Sequence, residues 1–441
     1  MSDDKPLPGS YVDPLPIVVP RVAFHLYYFL GCCFGAPFQR QEDSEHPQVN
    51  VLSACARHKT GSHPSIKRSF MPVKISCKLL ARITTVNIIV LFLLFPGLAN
   101  SRVNPVASEA CKTYMIYEND QFANDRNYTF GILFTRTCAP ANGTLESYTG
   151  PIPLPRDWNI SLWQLLEPGL GTTAHHRYVA NSAYFGVSLF TPNRTDEPQL
   201  GGRPYSALAI YGDNLVFSSD TEAFKQGLQL GLLGTPWGGK LQRAVHKAFG
   251  YPLPQGWSSQ ISNGGEPTFL YALEAKRLLT RPRSCCDRPR FDLSGSFGGT
   301  LGYYNSLQGT LSARLGLITA PFWSDYGPIA NHSGRIKRTL RKTRNTSTNS
   351  RGTWPTPQDA YLFFSGGVDV VLYNVLLQGQ FRGSEYDIAA SDIDRVIPHV
   401  VVGFVMGFGG FEFSYSYTHR GPEILGGKSH GWSSLSVGLR Y

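Results

Sequence analysis

The chain has 441 residues, 42% of them hydrophobic, with 45 Gly, 22 Tyr and 26 Phe and a formal net charge of +10. Nothing in it approaches the run of ~20 apolar residues that a membrane-spanning helix needs, so a helical membrane protein is excluded. Nor does the charge indicate a nucleic-acid partner, because much of it sits in Arg335, Lys337, Arg338, Arg341, Lys342 and Arg344, inside a Ser/Thr/Asn-rich stretch that reads as a solvated loop.

In chain order, residues 1–70 show no sustained periodicity. They are either an unusual extension or a segment not normally made, and the second reading is preferred because an export signal works at an N-terminus. From Met71, the basic residues Lys74, Lys78 and Arg82 precede the apolar run Ile88 to Phe95. Pro96, Gly97 and the small residues Ala99 and Ser101 follow. That order of charged, apolar and cleavage regions is a secretory signal, so residues 71–110 are expected to hold the signal peptide and a short mature N-terminus.

From residue 111 onward the pattern has period two, with apolar residues on one face of each segment and small polar ones on the other. Phe291, Leu293, Phe297 and Leu301 oppose Asp292, Ser294, Ser296, Gly298 and Thr300. Val400, Val402, Phe404, Met406 and Phe408 share a face, as do Phe411, Phe413, Tyr415 and Tyr417. The closing segment GWSSLSVGLRY places Leu435, Val437, Leu439 and Tyr441 together. This suits an all-β transmembrane antiparallel barrel, apolar outside and wet or narrow within, although a soluble sheet alternates in the same way.

Twelve strands are expected, near 111–120, 128–138, 177–190, 205–217, 222–233, 267–277, 291–302, 308–318, 359–371, 396–408, 410–419 and 431–441. With both termini in the periplasm, the loops 121–127, 191–204, 234–266, 303–307, 372–395 and 420–430 face outward. The inward connections 139–176 and 319–358 are longer than the usual periplasmic turns. Cys111 and Cys138 would face each other at the base of the first hairpin, so a disulfide is expected there in an oxidising compartment. Cys285 and Cys286 lack a second pair at metal-ligand spacing and read as a loop disulfide or free thiols rather than a zinc site.

Two outward loops carry the unusual chemistry. The first hairpin brings Glu118, Asn119, Asp120 and Thr129 to one rim. The loop after the fifth strand carries Gln242 and His246, four residues apart and so on one face of a short helix.

With these residues in view, the region from Cys111 to Tyr441 resembles the outer-membrane lipid A 3'-O-deacylases. The resemblance rests on Glu118-Asn119-Asp120 with Phe122-Ala123, Tyr128-Thr129-x-Gly131, Arg203-Pro204-Tyr205, Gln242-x-x-x-His246-Lys247, Gln255-Gly256-Trp257-x-x-Gln260, Asp325-Tyr326-Gly327-Pro328 and the closing strand. It implies a barrel in the bacterial outer membrane that hydrolyses the 3'-linked acyloxyacyl ester of lipid A, within lipopolysaccharide of the outer leaflet, in a Ca²⁺-dependent reaction. By position it implies catalytic roles for Asn119, Asp120, Thr129 and His246.

Elementary chemistry gives those residues parts to play. His246 suits a general base, Asp120 and Asn119 offer hard oxygen ligands for Ca²⁺, Thr129 can orient water or donate to the oxyanion, and Gln242 can fix the His ring. Arg203 and Lys247 suit the lipid phosphates or sugar-core anions. The chain departs from the family pattern at Pro252, where some members carry a catalytic Glu, and at Gly202, where an Asp often precedes Arg-Pro-Tyr; Glu266 is the candidate replacement carboxylate for the metal. The absence of a Gly-x-Ser-x-Gly elbow argues against a serine lipase on an α/β-hydrolase scaffold. The alternatives are a passive porin or adhesin barrel, or an outer-membrane phospholipase with a serine nucleophile beside its His.

Overall fold

The computed structural model describes residues 110–120, 127–139, 153–166, 176–192, 195, 202–280, 290–324 and 358–440. The expected signal peptide, the segment before it, Cys285, Cys286, and Asp325 to Pro328 lie outside the described residues.

Twelve antiparallel strands close into one barrel, each paired with its neighbours in sequence and the first with the last. They are β1 (Ala110–Asn119), β2 (Asn127–Ala139), β3 (Arg177–Thr191), β4 (Ser206–Ser218), β5 (Glu222–Leu233), β6 (Glu266–Leu278), β7 (Phe291–Gly302), β8 (Tyr304–Leu317), β9 (Asp359–Asn374), β10 (Val396–Phe408), β11 (Phe411–Arg420) and β12 (His430–Arg440). Among the described residues three α-helices accompany them: α1 (Pro153–Leu166), α2 (Trp237–Phe249) and α3 (Val375–Gln378). Among the described residues no helix is long and apolar enough to cross a membrane.

The period-two pattern sorts the faces as its chemistry demands. Phe297, Leu301, Leu362, Phe364, Val400 and Val402 are exposed on the outside, a band of hydrocarbon side chains that only lipid can cover. The residues between them face a filled interior. Tyr128, Tyr184, Phe190, Leu208, Leu233, Leu270, Tyr304 and Trp432 belong to one buried cluster that spans the barrel from wall to wall. Several charged interior residues are paired with one another: Lys112 with Glu412 at 3.0 Å, Arg314 with Asp292 at 2.5 Å, and Arg420 with Asp369 at 2.8 Å.

Two strands run further than expected. β8 begins at Tyr304 because it pairs with Asn374 of β9, so the expected loop 303–307 shrinks to Tyr303. A register shift at Asn305 and Ser306 interrupts the alternation there, which hid the extension. Cys111 and Cys138 are directly opposite in the β1–β2 register and form a disulfide.

The long connection after β2 contains α1, which was not expected. It folds back over the outside of the barrel. In β4, Gly212 lies against the interior Tyr184 ring, so Asp213, Leu215 and Phe217 take the opposite, outward positions. There Trp163 stacks on Phe217 with ring centroids 3.9 Å apart, and the Asn159 side-chain amide donates to Asp213 Oδ1 at 3.2 Å. Gln226 of β5 donates to Asn159 Oδ1 at 2.7 Å.

Candidate active site

Helix α2 follows β5 after a short turn and ends at Gly250, which adopts φ 71° and donates its N–H to the His246 carbonyl. A left-handed residue at that place lets the chain reverse without a Cβ clash. The helix has one buried stripe, Gly238, Gly239, Gln242 and His246, while Arg243, Val245 and Lys247 are exposed. Steps of three and four residues put that stripe on one face.

The buried face packs against the outside of the barrel. Tyr128 and Phe190 pair across β2 and β3 and point inward, where Tyr128 meets Trp432, so their neighbours Phe130 and Leu189 point outward. Leu189, Ala207, Tyr205 and Trp257 form one buried cluster, with Phe130, Trp237 and Leu241 packed against it. Gly238 allows the close approach: a Cβ there would lie 2.6 Å from Ala207 Cβ and 2.9 Å from Leu189 Cδ2. The helix, the loop after it and the wall therefore enclose a patch on the lipid side of the rim.

Within this patch, His246 is 4% exposed and its Nδ1 lies 2.5 Å from the Pro252 carbonyl oxygen. A carbonyl only accepts, so Nδ1 carries the proton and Nε2 is the basic nitrogen. The Tyr251 ring stands edge-on to the imidazole at 5.8 Å between centroids. Gln242, expected to fix the His ring, does not bond to it; its side-chain oxygen accepts from Trp257 Nε1 at 2.7 Å. Its Nε2 is buried and meets no hydrogen-bond partner among the described residues.

On the wall, Asn119 pairs with the outward-facing Phe130 and so lies on the outer face, while Glu118, which pairs with Gly131, lies on the inner one. Thr129 is the extra residue where the β2–β3 register shifts, and its hydroxyl is 2.5 Å from that of Thr191. Both are buried. Asp120 follows β1, is buried, and donates its N–H to the Thr129 carbonyl at 3.4 Å. Thus α2, Thr129 and Asn119 share the outer rim. Thr191, Trp257 and the Pro252 carbonyl join them without having been anticipated. The Gln255-Gly256-Trp257 motif pointed to the second of these, but nothing in a sequence marks a backbone carbonyl as a partner.

Two expected site residues lie elsewhere. Arg203 is inside the barrel mouth: its guanidinium sits 4.5 Å above the inward-facing Phe190 ring and pairs with Glu423. Burial pulls its pKa below the usual arginine value, with Glu423 acting in the opposite direction. It braces the lumen rather than facing lipid phosphates. Lys247, by contrast, is exposed on α2, next to His246 in the chain. Glu266 also points inward, opposite Leu233 of the interior cluster, and its Oε1 accepts from the Phe381 N–H at 2.8 Å. It is therefore not a replacement carboxylate for the outer patch. Ca²⁺ takes six to eight oxygen ligands, usually with several carboxylates. Among the described residues no three His, Cys, Asp or Glu group together to hold a metal, and Asp120 with Asn119 does not make such a shell. Among the described residues the donor set does not complete a protein-built calcium site.

A family model described as outer membrane protein LpxR matches residues 86–441. Among solved structures, the chain is similar to LpxR from Salmonella typhimurium at 16% identity and a TM-score of 0.52, covering 75% of this chain and 100% of that one. At that identity the likeness speaks for the fold. It is also similar to the translocator domain of the autotransporter NalP from Neisseria meningitidis, at 11% identity and a TM-score of 0.30 over 83% of this chain and 100% of that one. The β domain of the Bordetella autotransporter BrkA gives 9% and 0.33, over 76% and 98%. The last two likenesses are too slight to bear on fold or function. No curated protein matches the chain.

Proposed function

The chain belongs to the family of outer membrane protein LpxR, and from that premise we propose that it hydrolyses the 3'-linked acyloxyacyl ester of lipid A in the outer leaflet, with His246 as general base. The observation that carries the reading is the setting of His246. It is buried on the wall-facing side of α2, on the lipid side of the barrel, with Nδ1–H held by the Pro252 carbonyl.

In this reading His246 Nε2 takes a proton from water as the water oxygen attacks the ester carbonyl carbon. Negative charge collects on the carbonyl oxygen, and the Gln242 amide, its oxygen already held by Trp257, supplies an N–H for it. The hydrogen-bonded Thr129 and Thr191 hydroxyls orient the water. The intermediate collapses with cleavage of the bond to the sugar oxygen, which receives the proton from the imidazolium; a fatty acid and a free sugar hydroxyl result. Lys247 faces the lipid phosphates. No step is routed through calcium, which the resemblance implies but the described donors do not fit.

A porin is the weaker reading because large side chains fill the interior that a pore would need open. Purified protein in vesicles holding both lipid A and phospholipid tests all readings by mass spectrometry. Loss of the 3' acyloxyacyl group alone is expected. Fatty acid release from phospholipid alone would establish a phospholipase, and release from neither would remove the enzyme reading.

A further inference from the structure

Helix α1 is an odd object to find on the lipid-facing side of a barrel. Asp213 and Gln226 hold outward positions where a hydrocarbon neighbour would leave a carboxylate and an amide unsatisfied. They are 1% and 0% exposed only because Asn159 bridges them and the helix covers them. The Trp163–Phe217 stack fixes the same face. Helix α1 thus covers the outer wall, and its exposed side includes two large apolar side chains, Trp158 at 53% and Leu165 at 75% exposed, beside the polar Asp157, Ser161 and Gln164.

Between this helix and strands β5 and β6 runs a groove of about 540 Å³, lined by Trp158, Leu162, Leu165, Leu228, Leu230 and Phe269, with Ser161 the one polar side chain. It opens to the hydrocarbon band. Its upper end, Leu230 paired with Phe269, leads along β5 to Leu232 and then into α2. At a rise of ~3.3 Å per residue, Leu228 lies on the order of 13 Å along the strand from Leu232. Strand β5 thus carries the groove on its outer face and continues into α2.

We infer that the groove between α1 and strands β5 and β6 binds an acyl chain of the lipid A molecule engaged at the α2 site. The inference rests on the lipid A reading. The occupant is argued from three features: a lining of carbon apart from Ser161, an opening to hydrocarbon, and continuity with the outer rim that holds His246. A loose annular lipid would need no helix pinned at a fixed distance by a buried polar bridge.

The test places a photoreactive diazirine side chain at Leu162, and a reference one at Leu362, an exposed residue of β9. Full-length protein in vesicles of phosphatidylethanolamine with lipid A is irradiated and the adducts are identified by mass. Lipid A adducts enriched at Leu162 over Leu362 are the expected result. Equal lipid A to phospholipid ratios at the two positions, or no lipid adduct at Leu162, would overturn the inference. A second variant, Leu230→Trp, fills the groove from its exposed side and should lower deacylation by about tenfold or more, with unchanged heat-modifiability; an unchanged rate would count against the groove. If the unmodified protein deacylates nothing, the catalytic reading fails, yet lipid A enrichment at Leu162 would still support the groove, so the two failures are separable.

Discussion

His246 owes its tautomer to a backbone carbonyl, and that changes how the residue should respond to mutation. His246→Ala should leave a folded, heat-modifiable barrel while lowering lipid A deacylation by ~10² to 10⁴-fold, the usual worth of a positioned base. A folded variant that works at the normal rate would remove the assignment. Trp257→Phe deletes the N–H that holds the Gln242 oxygen and leaves that oxygen buried without it, at a cost of about 1–3 kcal/mol in local stability. Its deacylation should fall with little change in the barrel, and adding Gln242→Leu should worsen the defect less than additively, read from a double-mutant cycle. At this scale the sequence was informative about His246 and Gln242, because four-residue spacing on a helix is visible in letters. It was uninformative about Arg203 and Glu266. Glu266 opens β6, where one residue of offset in strand register reverses the side, and Arg203 lies in the segment before β4, where no strand alternation marks a side at all.

Helix α2 depends on a missing side chain. Gly238→Ala puts a methyl group 2.6 Å from Ala207 Cβ, so the helix must shift from the wall, at about 1–3 kcal/mol of overpacking. The expected outcome is an intact barrel with reduced deacylation, partly restored by adding Ala207→Gly; a fully active Gly238→Ala would show that the helix can sit elsewhere. The strands themselves were readable to within a few residues, since twelve period-two segments with an apolar face leave little choice of register. Helix α1 was not. Its buried residues Asn159 and Trp163 are one polar and one aromatic, which gives no apolar stripe, and the polar bridge that holds it is assembled from three separate elements.

The barrel is closed and filled, and it is joined at its first hairpin by the Cys111–Cys138 bridge, 27 residues apart in sequence. Replacing both cysteines with serine should destabilise the barrel by about 2–4 kcal/mol, seen as a lower midpoint for heat modification than in the oxidised protein. A midpoint unmoved by Cys111→Ser with Cys138→Ser would mean that the strand ladder alone closes the barrel. The bridge was legible because both cysteines fall at ends of adjoining strands. The filled interior was not, because alternation marks two faces without saying how far across the barrel the inner side chains reach.

The placement of His246 outside the wall has a kinetic consequence. On the proposed reading the lipid substrate shares a leaflet with the site, so encounters would take place in two dimensions and no molecule need pass through the mouth of the barrel. The controlling quantity is then the mole fraction of lipid A in the leaflet, not its amount per litre. Diluting the vesicles in buffer should leave the rate per enzyme molecule unchanged, while diluting lipid A with phospholipid at constant bulk concentration should slow it in proportion; the reverse dependence would show that substrate arrives from the aqueous phase.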